Sequence, residues 1–249
     1  MKRAKKIAVI LSLAVSMVCT AVLGGCGAGK QKTSDTVRWF NATYAILTEC
    51  NGLDYNKFGG RIPNAEDKES VRQLLADHWG VTDRETADMR LEWIMVEGER
   101  AGFVKTVNHL TEYGLSELDE EEYVPFFMLA FGLEEERAEF FANTYIMYQE
   151  YGGHAIDGWD YCRAFNLLGW YYIADYYTLE EALDKSLEIA KQVQPMYDSW
   201  DELIESYLRG YEYWSEGSSD ERRAIYEDLK TREDNPYAVD YHITLEKTW

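Results

Sequence analysis

Apolar residues recur at intervals of three and four along most of the chain after Ser34, the spacing that places them on one face of an α-helix. Amphipathic helices of this length are marginal alone, so each must bury its apolar face against another. The pattern predicts an all-α fold, a single domain of about eight or nine helices. The clearest stripes are Val71, Leu74, Leu75 and His78; Ala87, Leu91, Ile94 and Met95; Ala182, Leu183, Leu187, Ala190 and Val193; and Trp200, Leu203, Ile204, Tyr207, Tyr211 and Trp214.

Helix boundaries are indicated by capping residues. Thr82–Glu85, Thr178–Glu181 and Ser199–Glu202 have the spacing of a capping box, in which a hydroxyl and a carboxylate satisfy free amides at a helix start. Asn235–Trp249 alternates mildly and predicts a short extended C-terminal tail. The glycines expected to end helices are Gly80, Gly98, Gly114, Gly132, Gly152 and Gly217.

One segment, residues 159–174, is apolar almost all the way round and predicts a central helix buried on every side. Asp160 and Arg163 are spaced to share a face of this helix, and Asn166 lies one turn further along. Buried charges persist only when they are paired and hydrogen-bonded. The three residues are therefore either a structural ion pair with its surroundings or the lining of a polar site.

The N-terminus has the layout of a secretory signal: basic residues 2–6, an apolar run over Ile7–Leu23, and then Gly24-Gly25-Cys26. Small residues before a cysteine resemble the bacterial lipobox, which implies cleavage after residue 25 and a lipid on Cys26. We expect a signal peptide over 1–25, a lipidated cysteine and flexible linker over 26–33, and a helical domain over 34–249. An uncleaved signal-anchor helix is the alternative. Either arrangement places the domain at the cell membrane, on its extracytoplasmic face.

The charge of the chain restricts its partners. The formal net charge is −20, and loss of the four basic residues within 1–25 leaves 21 Lys and Arg against 45 Asp and Glu. Such a surface repels phosphate backbones, so nucleic acid is excluded as a partner. It also gives the domain no electrostatic reason to lie on anionic lipid, so membrane attachment has to come from the lipid on Cys26. A protein partner at the envelope remains compatible with this charge.

The residues that carry metal or cofactor chemistry form no recognised pattern. His154, Asp157 and Asp160 are close in sequence but match no ligand spacing, and Asp157 is better explained as a helix N-cap. Nucleotide-binding loops, nucleophile elbows and metalloprotease motifs are missing, so we expect no cofactor, no metal and no catalytic residue of a known class. Cys50 and Cys162 remain after signal cleavage, and the spacing leaves open whether they form a disulfide.

Acidic runs at 119–122 and 134–136 stand where helices should begin, where carboxylates favour the positive end of the helix dipole. We therefore interpret them as solvated first turns rather than as calcium ligands. Aromatic residues make up 14% of the chain, and most lie on the predicted inner stripes. This placement favours core packing over the stacking of sugars.

Residues 70–215 contain a set of motifs formed by Trp79, Gly80, Trp159, Asp160, Arg163, Glu181, Ala182, Trp200, Tyr207, Gly210 and Trp214. Together these motifs resemble the bacterial domain of unknown function family 1266. Two positions depart from the family pattern: Asp175 stands where glycine is usual, and Tyr211 stands where arginine is usual. The resemblance implies a shared fold, and its implication for activity is small because the family is uncharacterised.

Two hypotheses for function follow. The first is a non-catalytic module that binds a protein or a ligand at the cell envelope. The second is an envelope enzyme of unknown reaction that uses Asp160 and Arg163. A solvent-connected pocket around that pair would favour the enzyme, and a closed, fully paired salt bridge would favour the binding module.

Overall fold

The computed structural model describes residues 33–249, and the predicted signal segment and Cys26 lie outside them. This part of the chain is all-α, as predicted, with no strand. Its helices are α1 (Asp35–Thr43), α2 (Ala45–Cys50), α3 (Ala65–Trp79), α4 (Arg84–Val96), α5 (Gly98–Glu112), α6 (Glu120–Phe131), α7 (Glu135–Tyr151), α8 (Asp157–Ile173), α9 (Leu179–Val193), α10 (Trp200–Ser215) and α11 (Asp220–Thr231). Short 3-10 turns span Phe58–Gly60, Leu115–Glu117, Gly152–His154, Gln194–Met196 and Pro236–Ala238.

The described residues contain eleven helices rather than eight or nine, and one source of the difference is an interruption of the first helical stretch. Tyr44 leaves helical geometry between α1 and α2, with φ −118° and ψ 17°, and its hydroxyl accepts from the backbone N–H of Gly59 at 3.0 Å. Gly98 takes φ +59° and separates α4 from α5. The break at Gly98 is the one that the sequence predicts, whereas the break at Tyr44 accompanies a contact with Gly59 that periodicity does not report.

The predicted caps are confirmed in part. Thr178 and Glu181 form the reciprocal capping box of α9, and the Ser199 hydroxyl accepts from the amide of Glu202. The box expected at Thr82 is displaced by one residue, since Asp83 is the N-cap of α4 and pairs with Thr86. Of the glycines expected to end helices, Gly80, Gly132 and Gly152 are C-caps, as predicted. Gly98 and Gly114 directly follow the C-caps of α4 and α5 and have positive φ, also as predicted, and Gly98 in addition begins α5. At the end of α10 the C-cap is Glu216 rather than Gly217.

Helix α8 is the centre of the fold, and it begins two residues before the predicted 159–174 segment. All its residues are buried except Tyr161 and Tyr172. Helices α4, α9 and α10 pack around it. The contact with α10 is close because glycine lies on both sides: a Cβ on Gly158 would meet the Leu203 carbonyl oxygen at 2.7 Å, and one on Gly210 would meet the Trp159 Cβ at 2.1 Å. Backbone therefore packs against backbone or against the base of an indole.

The C-terminal tail packs on the core through indole hydrogen bonds. The N–H of Trp39 donates to the Tyr241 carbonyl at 2.9 Å, and that of Trp200 donates to the Val239 carbonyl at 2.8 Å. Apart from the 3-10 turn at Pro236–Ala238, the tail is irregular. It closes one end of the aromatic core that surrounds α8.

Helices α6 and α7 form a hairpin that we call the acidic hairpin, residues 120–151. It contains eight Glu, one Arg and no Lys or Asp. Helix α6 packs chiefly on α7, and the two share a small apolar cluster that includes Tyr123, Phe127 and Tyr145. As predicted, both acidic runs lie in first turns of helices. Between Thr33 and Trp249, no helix has the length and apolarity needed to cross a membrane.

Candidate functional site

Asp160 and Arg163 meet, as the sequence suggests, and they do so where α8 faces the break between α4 and α5. The Asp160 side chain has no exposed surface, and that of Arg163 is 8% exposed. Asp160 Oδ1 accepts from Arg163 Nη2 at 2.5 Å and from the backbone N–H of Glu99 at 3.1 Å. Oδ2 accepts from the backbone N–H and Nη1 of Arg100 at 3.0 and 3.2 Å. Four donors therefore surround this carboxylate.

Two of these donors are backbone amides in the first turn of α5. The first amides of a helix have no partner within the helix, and a carboxylate is a preferred acceptor for them. Glu97, the residue at the N-cap of α5, makes no side-chain cap bond. Asp160 therefore caps α5 from a helix about 60 residues away in sequence.

Arg100 joins the same site to the end of α4. Its Nη1 donates to the Ile94 carbonyl at 2.8 Å, and its Nη2 bonds to the carbonyl of Met95. These carbonyls belong to the last turn of α4, where helical acceptors are left unpaired. One aspartate and one arginine thus satisfy both sides of the break between the two helices.

Gly98 allows this approach. It is in the left-handed region at φ +59°, and a Cβ built on it would lie 2.1 Å from Asp160 Oδ2. A side chain at this position would both strain the backbone and displace the carboxylate. The glycine that follows the end of α4 thus also makes room for a side chain from α8.

The Arg163 guanidinium is enclosed by two motif residues, Trp79 and Trp159. Its central carbon lies 5.5 Å from the ring centroid of Trp79 and 4.5 Å from that of Trp159, both within cation–π range. Its Nε donates to the Trp159 carbonyl at 3.2 Å. Burial lowers the pKa of Arg163, and the Asp160 carboxylate acts in the opposite direction. Gly80, which ends α3 in the left-handed conformation, follows Trp79 directly.

Of the remaining motif residues, Glu181 and Ala182 lie in the first turn of α9, and the others lie on α10. Tyr207 is buried and accepts from Arg222 Nη1 at 2.9 Å, and Gly210 contacts Trp159. Trp214 packs on Trp159 with ring centroids 5.6 Å apart. It was expected on the inner stripe, yet 54% of its surface is exposed because α10 extends past the core at this end. The family motif thus describes the packing of α8 rather than an open site.

Asn166 and Asp157 are not part of the hydrogen-bonded Asp160–Arg163 pair. Asn166 is buried, and no hydrogen bond joins it to Asp160 or Arg163 within residues 33–249. Asp157 is the first residue of α8 rather than its N-cap, because Ile156 occupies the cap position. The Asp157 carboxylate bonds to Nδ1 of the exposed His154 at 2.8 Å. Burial raises the pKa of Asp157, and His154 lowers it.

The polar centre is closed. The Asp160 carboxylate accepts from four donors and has no exposed surface, and the Arg163 side chain is 8% exposed. Among residues 33–249 no three His, Cys, Asp or Glu side chains converge as metal ligands. Cys50 and Cys162 are both free thiols, so they form no disulfide with each other in this structure. Asp175 has φ 62° and pairs with Lys68 at the surface.

An open cleft of about 600 Å³ lies elsewhere, between α7 and α10. Sequence reasoning did not find it because its walls are far apart along the chain. The excess of glutamate in the acidic hairpin was the available signal, and it is equally consistent with a solvated surface.

Comparison with known families gives one match. A family model described as "Protein of unknown function (DUF1266)" matches residues 74–241, about two thirds of the chain. The match includes every motif residue discussed above and extends past residue 215 into the C-terminal tail. No curated protein and no solved structure matches the chain.

Proposed function

The chain belongs to the DUF1266 family, whose function is unknown, and we propose that its helical domain is a non-catalytic module that binds a protein or ligand at the cell envelope. We further propose that a lipid on Cys26 tethers it to the extracytoplasmic face of the cell membrane.

The closed state of the polar centre carries the first part of the proposal. A general base or an anion-binding arginine needs an atom that substrate can reach. In Asp160 both carboxylate oxygens accept from protein donors, and Arg163 is stacked between two indole rings. The pair therefore supports helix ends, and the enzyme hypothesis loses the solvent-connected site that it requires.

The second part rests on the sequence before the described residues. The basic start, the apolar run of Ile7–Leu23 and the Gly24-Gly25-Cys26 sequence together favour export and lipidation. Ser34 caps α1, so Gly27–Thr33 separates Cys26 from the first helix cap. Seven extended residues span at most about 25 Å, which would keep the domain close to the bilayer.

Expression of the full chain with Cys26→Ala tests the tether. We expect the wild-type chain in the membrane fraction, with mass spectrometry showing a modified Cys26 as the first residue. The variant should not be acylated and should not undergo lipoprotein-type cleavage. A native chain that retains Met1 and an unmodified Cys26 would contradict the proposal.

Arg163→Met tests whether the domain acts without catalysis. This change removes the guanidinium that an enzyme would use and leaves the three bonds from residues 99 and 100 to Asp160. Photo-cross-linking on intact cells, with probes on several helices, should capture the same partner in the folded variant as in wild type. Loss of capture by a variant with unchanged circular dichroism would place Arg163 in the function and weigh against the proposal.

A further inference from the structure

Within residues 33–249 no helix covers the outer face of α7, and two depressions meet on it. One is the cleft of about 600 Å³ between α7 and α10, and the other is a shallower one of about 440 Å³ between α6 and α7. Glu139, Asn143 and Ile146 line both. The two depressions therefore form one elongated surface across α6, α7 and α10, which we call the α7 groove.

The floor of the α7 groove is partly apolar. Phe140 and Tyr213 stack with ring centroids 5.8 Å apart and nearly parallel planes, and Met147 lies beside them in the lining. Tyr151 stacks under the Arg209 guanidinium at 3.8 Å, and Arg209 Nε is held by the Ala155 carbonyl at 3.0 Å. An apolar floor of this kind binds side chains or alkyl stems by excluding water from them.

The walls of the groove carry an excess of negative charge. Glu205 and Glu216 are paired, with Arg223 and Arg137. In contrast, Glu136, Glu139, Glu150 and Glu212 make no salt bridge with any residue between 33 and 249. Carboxylates concentrated in a cleft reinforce one another's field and attract cations of matching geometry.

We propose that the α7 groove binds an extended segment of a partner protein that is rich in Lys and Arg and carries interspersed apolar side chains. This inference rests on the proposed binding function and names its site and the chemistry of its partner. Charge complementarity steers such a segment to the groove and fixes its register. The apolar floor supplies contacts that a purely electrostatic attraction would lack.

The shape of the groove favours a peptide over a small cation. Within the described residues the carboxylates do not converge as metal ligands. The four unpaired carboxylates are instead spread over α7 and α10, with Glu136 and Glu139 one turn apart on α7 and Glu150 about three turns further along. A chain with several cationic side chains can reach all of them at once, and an ion or a short amine cannot.

Binding of a labelled peptide to the full chain in detergent tests the proposal. The probe is a blocked, unstructured peptide of Lys, Phe and Ser, and fluorescence anisotropy reports its Kd. Replacing Glu139, Glu150 and Glu212 by Gln should weaken binding at least about tenfold, which corresponds to about 1.4 kcal/mol. The matched control replaces the exposed Glu66, Glu69 and Glu92 by Gln, which changes net charge equally, and should alter Kd less than about twofold.

Three results would overturn the proposal. Equal weakening by the two triple variants would show attraction to net charge alone. Binding of Ca²⁺, or of spermine, to the groove with displacement of the peptide would show a site for small cations. Absence of peptide binding to the folded wild-type chain would remove the groove as a docking surface. In each case the cross-linking experiment on cells still decides separately whether the domain is a binding module at some other surface.

Discussion

Carboxylate groups have opposite environments in the α8 centre and in the acidic hairpin. Around α8 the Asp160 carboxylate is buried and accepts four hydrogen bonds. On the hairpin the Glu139 and Glu150 carboxylates are exposed and unpaired within the described residues. The Asp160 carboxylate holds helices together, whereas the Glu139 and Glu150 carboxylates are accessible from solvent. Burial and the number of hydrogen-bond donors, rather than residue type, therefore separate the structural carboxylate from the solvent-accessible ones here.

The α8 centre is also more densely packed than the acidic hairpin. Nearly all of α8 is buried, and glycine brings α10 into backbone contact with it. In α6 only Tyr123 and Phe127 are buried, and Leu129 is 90% exposed. A region with a small core opens at a lower free energy than the global unfolding of the domain. The groove that we propose as a binding site thus lies beside the less tightly packed part of the fold.

The largest expected effect comes from Asp160→Ala. The change leaves the Arg163 and Arg100 guanidinium groups without their carboxylate and removes the cap of α5. Breaking a buried pair of this kind typically costs about 3–5 kcal/mol. Urea denaturation of the full chain, followed by tryptophan fluorescence, should show a loss in unfolding free energy of that size.

Arg163→Met is the matched comparison for this prediction. Asp160 keeps three donors in the variant, so the loss should be smaller, about 1–3 kcal/mol for one charged hydrogen bond. If Arg163→Met costs as much as Asp160→Ala, the ion pair and not the cap of α5 would be what stabilises the centre.

Phe127→Ala should weaken the hairpin and leave the centre intact. Phe127 is 1% exposed and belongs to the small cluster between α6 and α7. Truncation of a buried phenylalanine costs about 3 kcal/mol, and here the loss should fall on a local opening. Hydrogen exchange should accelerate for amides of α6 and α7 and remain unchanged for α8. Equal acceleration in α8 would show that hairpin and centre unfold as one unit.

Local patterns in the sequence account for most of the fold. The stripes and caps specify helices, and the apolar circumference of residues 159–174 identifies α8 as central. The capping box near Thr82 is displaced by one residue because Thr82 and Asp83 are both competent caps, and only the folded chain selects Asp83. Trp214 continues a helical stripe but is exposed, because periodicity does not show where a helix extends beyond the helices packed against it.

The candidate site depended on contacts that the sequence does not encode locally. Asp160 and Arg163 were identifiable as a pair from their spacing, whereas the bonds from Asp160 to Glu99 and Arg100 join residues about 60 positions apart. Gly98 within a helical stretch was the one local sign of that approach. The α7 groove likewise requires α7 and α10 to lie side by side, which is a property of the tertiary fold.

The smallest expected effect is a pH dependence at Asp157, between the centre and the hairpin. Burial raises the pKa of Asp157 above its ordinary range, with His154 and Arg100 opposing and Asp160 adding to the rise. The folded state then binds this proton more tightly than the unfolded state, so Asp157 makes stability fall as pH rises from about 4 through its raised pKa. Asp157→Asn should therefore increase the free energy of unfolding at neutral pH, and the gain should vanish below about pH 4, where the wild-type carboxyl is protonated in both states.

Asp67→Asn is the control of opposite sign. Arg61 lowers the pKa of Asp67, so that variant should be less stable at neutral pH, and the difference should disappear as the pH falls through the lowered pKa. Urea titrations over this pH range would measure both, and a loss of stability at neutral pH in Asp157→Asn would show that the bond to His154 outweighs the cost of burying the charge.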